Sequence, residues 1–274
     1  MNDTGTPWGN GTELDDHHVA AQVAEATGDL LLALRRELSD RGAPSFLIED
    51  EGDRRAHDLI VEALHALRPG DAVLSEEGRD HPYSMDADRA WIVDPLDGTR
   101  EYGTVPRHDW AVHIAVVEGH HPVAGAVALP GVGLTLHTGT PPVVPEREGG
   151  PPRLVVSRSR PAPISYEIAD ELEGVLLPLG SAGAKAMAVV LGEADIYAHA
   201  GGQYEWDSCA PVAVAAAAGL HVSRIDGSPL RYNRPDPWLP DLLICRPEYA
   251  ETVVSVVRRH VGSRIEDEEA RLWR

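Results

Sequence analysis

At 274 residues the chain is long enough to bury a substantial core, either as one large α/β unit or as two smaller lobes. Its 44 acidic residues against 24 basic ones give a formal charge of -20, which repels polyanions and excludes a nucleic-acid polymer or an anionic membrane surface as the main partner. A small phosphorylated ligand stays compatible with that charge if metal ions or a few placed Arg and Lys side chains offset the field, and the two cysteines, Cys209 and Cys245, exclude a disulfide scaffold and predict a reducing, cytoplasmic setting.

Residues 1 to 11 hold Asp3, Gly5, Pro7 and Gly9 without an apolar core, so they are expected to be a loose tail rather than a signal peptide, and no later run is long enough to cross a bilayer. Thr12 and Asp15 resemble a capping box, and Val19, Val23, Leu30, Leu34 and Leu38 predict a first amphipathic helix that ends at Gly42. A second helix is predicted from Asp53, with Ala56, Leu59, Ile60, Ala63, Leu64 and Leu67 on one face and Pro69-Gly70 as the stop. Short strands follow at Ala72 to Leu74, Ala90 to Val93, Trp110 to Val117, Val123 to Leu129 and Leu134 to His137. Two helices followed by sequential strands predict an α+β lobe over residues 12 to 150.

The stretch from 138 to 153 is rich in proline and glycine and marks the expected boundary. Beyond it, strands at Leu154 to Ser157, Val175 to Leu179 and Ile196 to His199 alternate with helical stretches near 162 to 172, 182 to 191 and 207 to 218, which predicts a layered α/β lobe over residues 151 to 274. Asp226-Gly227, between Val222 to Ile225 and Leu230 to Tyr232, is a hairpin signal. Leu242 to Cys245 and Pro247 to Arg259 read as a last strand and helix, with a frayed end from Glu266 to Arg274.

The segment Trp91-Ile92-Val93-Asp94-Pro95-Leu96-Asp97-Gly98-Thr99 is an apolar strand running into two carboxylates. Pro95 limits the backbone after Asp94, so Asp94 and Asp97 can share a cavity while the Leu96 carbonyl is free to accept a cation. Gly98 and Thr99 then present backbone amides to a phosphate oxygen. Taken alone, the two aspartates fit an Asx turn better. The balance moves because Ser75-Glu76-Glu77 follows a preceding strand and Glu205-Trp206-Asp207 opens a later helix, so acidic groups recur at element ends. Each of these is weak singly, since a Glu-Glu pair also reads as a solvated loop and a helix-start Asp as a cap.

In this order and at these separations, Ser-Glu-Glu, Asp-Pro-Leu-Asp-Gly-Thr-Arg-Glu-Tyr and Glu-Trp-Asp-Ser-Cys-Ala-Pro resemble the inositol monophosphatase superfamily over about residues 13 to 260, and within it the 3'(2'),5'-bisphosphate nucleotidase branch. The resemblance implies a layered α-β-α-β-α sandwich of the inositol monophosphatase/fructose-1,6-bisphosphatase type. It implies Glu76, Asp94, Asp97, Asp207 and the Leu96 carbonyl as ligands of a Mg2+ cluster of two or three ions per subunit. Asp53 with Thr99 would orient the attacking water, with Glu76 counted among the catalytic groups, and Gly98 and Thr99 would bind phosphate. Gly52 stands before Asp53 where relatives often carry threonine. A homodimer and inhibition by lithium are also implied.

Converging carboxylates repel one another and take up protons unless cations neutralise them, so metal loading belongs to the active state. Two ions roughly 3.5 to 4 Å apart would hold the phosphoryl oxygens, lower the pKa of a water and stabilise the leaving alkoxide in an in-line displacement. The small-molecule substrate implied is adenosine 3',5'-bisphosphate, cleaved to AMP and phosphate in sulfur assimilation, with its 5'-sulfated relative as a second substrate. Inositol monophosphate and fructose 1,6-bisphosphate are the alternatives, and a non-catalytic metal-binding protein is the alternative of another class.

Arg100 and Arg158 are candidate substrate contacts, because guanidinium groups pair with phosphate and stack on bases. Arg158 reads equally as a surface arginine, and Arg160 reads as one. Ser181 and Lys185, in a Gly-Ser-Ala-Gly-Ala-Lys segment that resembles a family substrate loop, are candidate ligand contacts, Lys185 being the single lysine of the chain. Tyr204 and Glu205 lie near the leaving-group side by resemblance, or serve packing and capping. The paired histidines His17-His18 and His120-His121 read as solvated, and His113, inside an apolar strand, as a core histidine.

Overall fold

The periodicities resolve into seven α-helices and two five-stranded sheets in a computed structural model that describes residues 8, 14–78 and 87–272. Helix α1 (Asp16–Asp40) starts after Asp15, whose carboxylate accepts the His18 amide at 2.9 Å. Thr12 lies outside the described residues. Helix α2 (Ser45–Leu67) begins two turns earlier than the predicted start at Asp53. Its buried stripe extends backwards through Gly52 and Ile48, whereas Phe46 and Leu47 of its first turn point to solvent and hide the periodicity. Asp53 therefore sits inside the helix rather than at its cap.

The first sheet runs in simple order β1 (Ala72–Ser75), β2 (Arg89–Asp97), β3 (Ala111–Glu118), β4 (His121–Leu129) and β5 (Leu134–His137), with β1 parallel to β2 and the rest antiparallel. Gly119 and His120, at φ 52° and 76°, form the two-residue turn between β3 and β4, the form that matches strand twist. The second half holds β6 (Arg153–Ser157), α4 (Pro163–Leu172), β7 (Val175–Leu179), α5 (Ala182–Val190), β8 (Ile196–Tyr204), α6 (Glu205–Ala217), β9 (His221–Ser223), β10 (Trp238–Cys245) and α7 (Pro247–Leu272), and its sheet is ordered β7-β6-β8-β10-β9. Helix α7 continues past Glu266, where fraying was expected. The predicted hairpin is absent. Asp226-Gly227 makes a turn closed by the Gly227 amide on the Arg224 carbonyl, but the following segment leaves the sheet and Tyr232 donates its amide to His120.

Strand alternation assigns the layers. Trp91, Val93, Val112, Ile114 and Val116 face α1 and α2, while Ile92, Ala115 and Val117 face the other way, into a cluster shared with α5, α6 and the second sheet. A third cluster joins Leu154, Ile196, Ala198 and Leu243 to α4 and α7. The result is an α-β-α-β-α sandwich, in which the α5/α6 layer packs against both sheets across residue 150. No helix among the described residues is long and apolar enough to cross a membrane.

Candidate active site

The end of β2 departs from regular pairing in a way its sequence explains. Asp94 pairs with His113 and Asp97 with Ala111, so two residues, Pro95 and Leu96, stand against one. Pro95 has no amide to give the ladder, and a bulge of one residue is the consequence. In a regular strand Asp94 and Asp97, three apart, would face opposite sides. The extra residue turns both toward α5 and α6. The Leu96 amide donates to Asp94 at 3.1 Å, so an Asx turn is present too and forms part of the site.

Asp207, in the first turn of α6, completes a group of three: one carboxylate oxygen each from Asp94, Asp97 and Asp207 lie within 4.8 Å of one another. Asp207 also accepts the Tyr204 amide at 2.6 Å, so it caps its own helix and faces the cluster at once. Glu76, on the short turn Glu76–Gly78 after β1, lies outside this tight group, although its charge raises both Asp53 and Asp94. Thr99 donates to the Leu96 carbonyl (3.1 Å) or the Asp53 carboxylate (3.3 Å), which links α2 to the start of α3 (Thr99–Gly103). Gly52 makes that approach possible, because a Cβ there would meet Tyr102 at 2.6 Å and Leu96 at 2.9 Å. Gly98 adopts φ 89°, and a side chain on it would meet Ser181.

The electrostatics separate the carboxylates. Burial, then Asp97, Glu76 and Asp207, push Asp94 well above the usual range. Burial and Asp97 raise Asp207 to about 6. Burial, then Glu77 and Glu76, raise Asp53 to about 7. Burial raises Asp97 as well, but His113, Lys185 and the Gly183 amide outweigh it and hold Asp97 below its ordinary value. Its oxygens accept the Ala182 and Gly183 amides at the start of α5, at 3.0 and 2.5 Å.

His113 was read as a core histidine, and it is fully buried, but it borders the site. Its Nε2 lies 3.2 Å from Asp97 and its Nδ1 3.0 Å from the Trp206 carbonyl. The signal was its parity with Ala111, Ala115 and Val117, which puts it on the interlayer face. Asp109 was also missed: it accepts the Gly180 amide at 2.7 Å and its carbonyl accepts the Ser181 amide at 3.2 Å, pinning that turn to the first lobe. The paired histidines are not simply solvated, since His17 bonds to Thr138 and His120 to the Tyr232 carbonyl.

A cavity of about 600 Å³ opens beside the carboxylates, lined by Asp97, Gly98, Thr99 and Asp207 together with Arg100, Arg158, Arg160, Ser181 and Lys185. The substrate candidates differ in how free they are. Arg158 pairs with Glu101, and Ser181 caps α5 by accepting the Ala184 amide at 2.8 Å. Lys185 is buried and donates to the Gly180 and Ser181 carbonyls, so it braces the turn from within. Glu205 departs from the expected substrate contact. It is fully buried, absent from the cavity wall, and accepts the Asn233 and Arg234 amides at 2.6 and 3.2 Å. A carboxylate without water needs such partners, and the chain supplies them from the 233–234 loop.

The donor set suits a hard divalent cation: three converging carboxylates, Asp94 and Asp97 buried and Asp207 half-buried, with raised pKa values at Asp94 and Asp207 that mark charge awaiting neutralisation. Asp94, Asp97 and Asp207 would hold it, with Glu76 and the Leu96 carbonyl alongside.

The family model described as the Inositol monophosphatase family matches residues 18–142 and 152–261. The 3'-phosphoadenosine 5'-phosphate phosphatase of Mycobacterium leprae (strain TN) is 48% identical over 258 residues, 90% of this chain and 94% of that one. The 3'(2'),5'-bisphosphate nucleotidase CysQ of Escherichia coli (strain K12) is 35% identical over 196 residues, 66% of this chain and 78% of that one. Among solved structures, CysQ from Bacteroides thetaiotaomicron superposes with a TM-score of 0.70 at 29% identity, covering 84% of this chain and 97% of that one. The 2'AMP-bound SaIMPase-II structure matches at 0.75 and 19% identity over 92% and 98% of the two chains, a likeness of fold.

Proposed function

The chain belongs to the inositol monophosphatase family and is a phosphoric monoester hydrolase, and from that premise we propose that it removes the 3'-phosphate of adenosine 3',5'-bisphosphate, giving AMP and phosphate, with Mg2+ as cofactor. The observation that carries this reading is a trio of converging carboxylates, buried Asp94 and Asp97 with half-buried Asp207, beside a cavity whose wall bears Arg100, Arg158 and Arg160, in a chain of charge -20. Concentrating cations there against the overall field suits a substrate with a second phosphate. The cytoplasm as location, a homodimer as assembly and the 5'-sulfated nucleotide as second substrate belong to the same proposal.

Mg2+ ions held by Asp94, Asp97 and Asp207, with Glu76 and the Leu96 carbonyl, would supply charge neutralisation, polarisation of the phosphoryl group and a more acidic water. The chain's own groups do the rest. Asp53, with its pKa near 7, and the Thr99 hydroxyl beside it form the pair that takes and orients the proton of the attacking water. The Gly98–Thr99 turn offers amides to the phosphate oxygens, and the α5 amides keep Asp97 charged and fixed.

The test is a comparison of kcat/KM on adenosine 3',5'-bisphosphate, inositol 1-phosphate and fructose 1,6-bisphosphate, with and without Mg2+. The nucleotide is expected to lead by at least about tenfold. Efficient inositol phosphate hydrolysis without nucleotide hydrolysis would overturn the assignment.

A pH dependence follows from the raised carboxylates. In the metal-free protein Asp53, Asp94 and Asp207 keep protons that the unfolded chain gives up near 3.8. The folded state then binds more protons than the unfolded one, so this contribution to stability is present at acidic pH and is lost as pH rises toward about 7. Asp97 has the opposite sign and stays charged. Mg2+ must displace the retained protons. Its stabilisation, read as the rise in Tm at a fixed concentration, is expected to be larger at pH 8 than at pH 6. An equal or larger rise at pH 6 would contradict the assigned cluster.

A further inference from the structure

Strands β8 and β10 pair with Trp238 opposite Tyr204 and Leu239 opposite Gln203, and the register then slips before Asp241 meets Ala200. Gly201 and Gly202 are set against Pro240 alone, at φ 114° and 93°, a bulge that a side chain would strain. The bulge carries a load. A Cβ on Gly202 would lie 2.7, 3.0 and 3.1 Å from Nε1, Cζ2 and Cε2 of Trp238, so the indole rests directly on the glycine backbone. His199 holds the Gly202 carbonyl at 3.0 Å from its Nε2, and Asp236 accepts the Trp238 amide at 3.0 Å.

Trp91, Trp110 and Trp206 are buried, whereas Trp238 is 44% exposed and lines the same cavity as Asp97 and Asp207. Tyr204, its cross-strand partner, also lines the cavity and stacks on Trp206 with centroids 4.7 Å apart and planes 13° from parallel. Trp238 and Tyr204, both partly exposed at one end of the β8–β10 pair, give the cavity an aromatic wall that matches a flat unsaturated ring and offers little to a polyhydroxylated one. The cations of the cavity come from other elements, Arg100 from α3 and Arg158 and Arg160 from the end of β6.

We infer that Trp238, seated on the Gly201–Gly202 bulge, is the stacking surface for the nucleobase of the substrate and sets the preference for nucleotides over sugar phosphates. The inference rests on the bisphosphate nucleotidase reading above and assigns its base-recognition residue. Removing one stacked face weakens binding by about tenfold or more.

The experiment measures kcat and KM on adenosine 3',5'-bisphosphate, and the inhibition constant of inorganic phosphate, for the full chain and for Trp238→Ala, Trp238→Phe and Gly202→Ala. Trp238→Ala is expected to raise KM about tenfold or more with a much smaller change in kcat, and Trp238→Phe to restore most of the loss. Gly202→Ala, which keeps the indole but displaces it, is expected to raise KM as well. Phosphate has no ring, so its inhibition constant is expected to stay within about twofold of the parent. An unchanged KM in Trp238→Ala, or a phosphate constant that rises in parallel with KM, overturns the inference. Failure of the parent protein to hydrolyse the nucleotide at all would instead defeat the functional reading on which it stands.

Discussion

Asp94→Asn is expected to lower Mg2+-dependent phosphate release by about a thousandfold or more while raising the Tm of the metal-free protein by a few degrees. Asp94 is almost completely buried, and its charge is opposed by burial and by Asp97, Glu76 and Asp207. Asparagine keeps the shape and the oxygen that accepts the Leu96 amide but carries no charge. The folded metal-free protein holds a proton on Asp94 that the unfolded chain releases, and a neutral isostere removes that linkage cost at neutral pH. Asp97→Asn also removes activity, yet with the opposite effect on the metal-free fold. Both Asp97 oxygens accept α5 amides, and an Asn NH2 would face one of those donors, at a cost of about 1 to 3 kcal/mol. Phosphate release and melting curves in EDTA and in Mg2+ check both variants. Residual activity within tenfold of the parent, or a lower metal-free Tm for Asp94→Asn, would sink the assignment of Asp94.

The contrast between these neighbours shows which information was local. That β2 ends in carboxylates was legible, because an apolar run meeting Asp-Pro and Asp-Gly needs nothing beyond its own residues. That both aspartates face α5 depends on the register with β3, which Pro95 hints at but only the partner strand fixes. His113 could have been placed by parity with Ala111 and Ala115, yet what it would meet, Asp97 and the Trp206 carbonyl, comes from two other elements. The start of α2 was misplaced because Phe46 and Leu47 are apolar but exposed, so the periodicity appeared to begin only after the acidic run. Asp226-Gly227 kept its turn and lost its hairpin because Leu230–Tyr232 is drawn to His120, more than a hundred residues away. Arg158 could have faced ligand or solvent, and its partner Glu101 lies 57 residues away in sequence. Chemistry carried by one segment was readable from its own residues, whereas the grouping of Asp207 with Asp94 and Asp97 was legible only through the family resemblance.

The second large effect lies outside the cavity wall. Asp195, immediately before β8, is fully buried and carries three arginines: its carboxylate takes the Arg153 amide at 2.8 Å and the Arg153 and Arg246 guanidiniums at 3.2 Å, with Arg147 at 3.4 Å. Burial raises its pKa, but Arg153 and Arg147 outweigh that and hold it below the ordinary value, so its contribution is present above about 3.8 and is lost as pH falls. The network ties the start of β6, the end of β10 and the proline-rich crossing, whose Pro145 carbonyl accepts Arg246 at 2.7 Å. Asp195→Ala strands these cations and is expected to cost about 3 kcal/mol, a fall in Tm of roughly 6 to 12 °C for a chain of this size. Asp195→Asn, which keeps an acceptor, should lose about half as much. Catalysis should be spared below the melting range, because neither Asp195 nor its three arginines line the cavity. Melting curves and kcat/KM at low temperature separate the two roles: a Tm within about 2 °C of the parent would show that the arginines find other partners, and a parallel loss of kcat/KM would mean that this network also sets the geometry at Asp207.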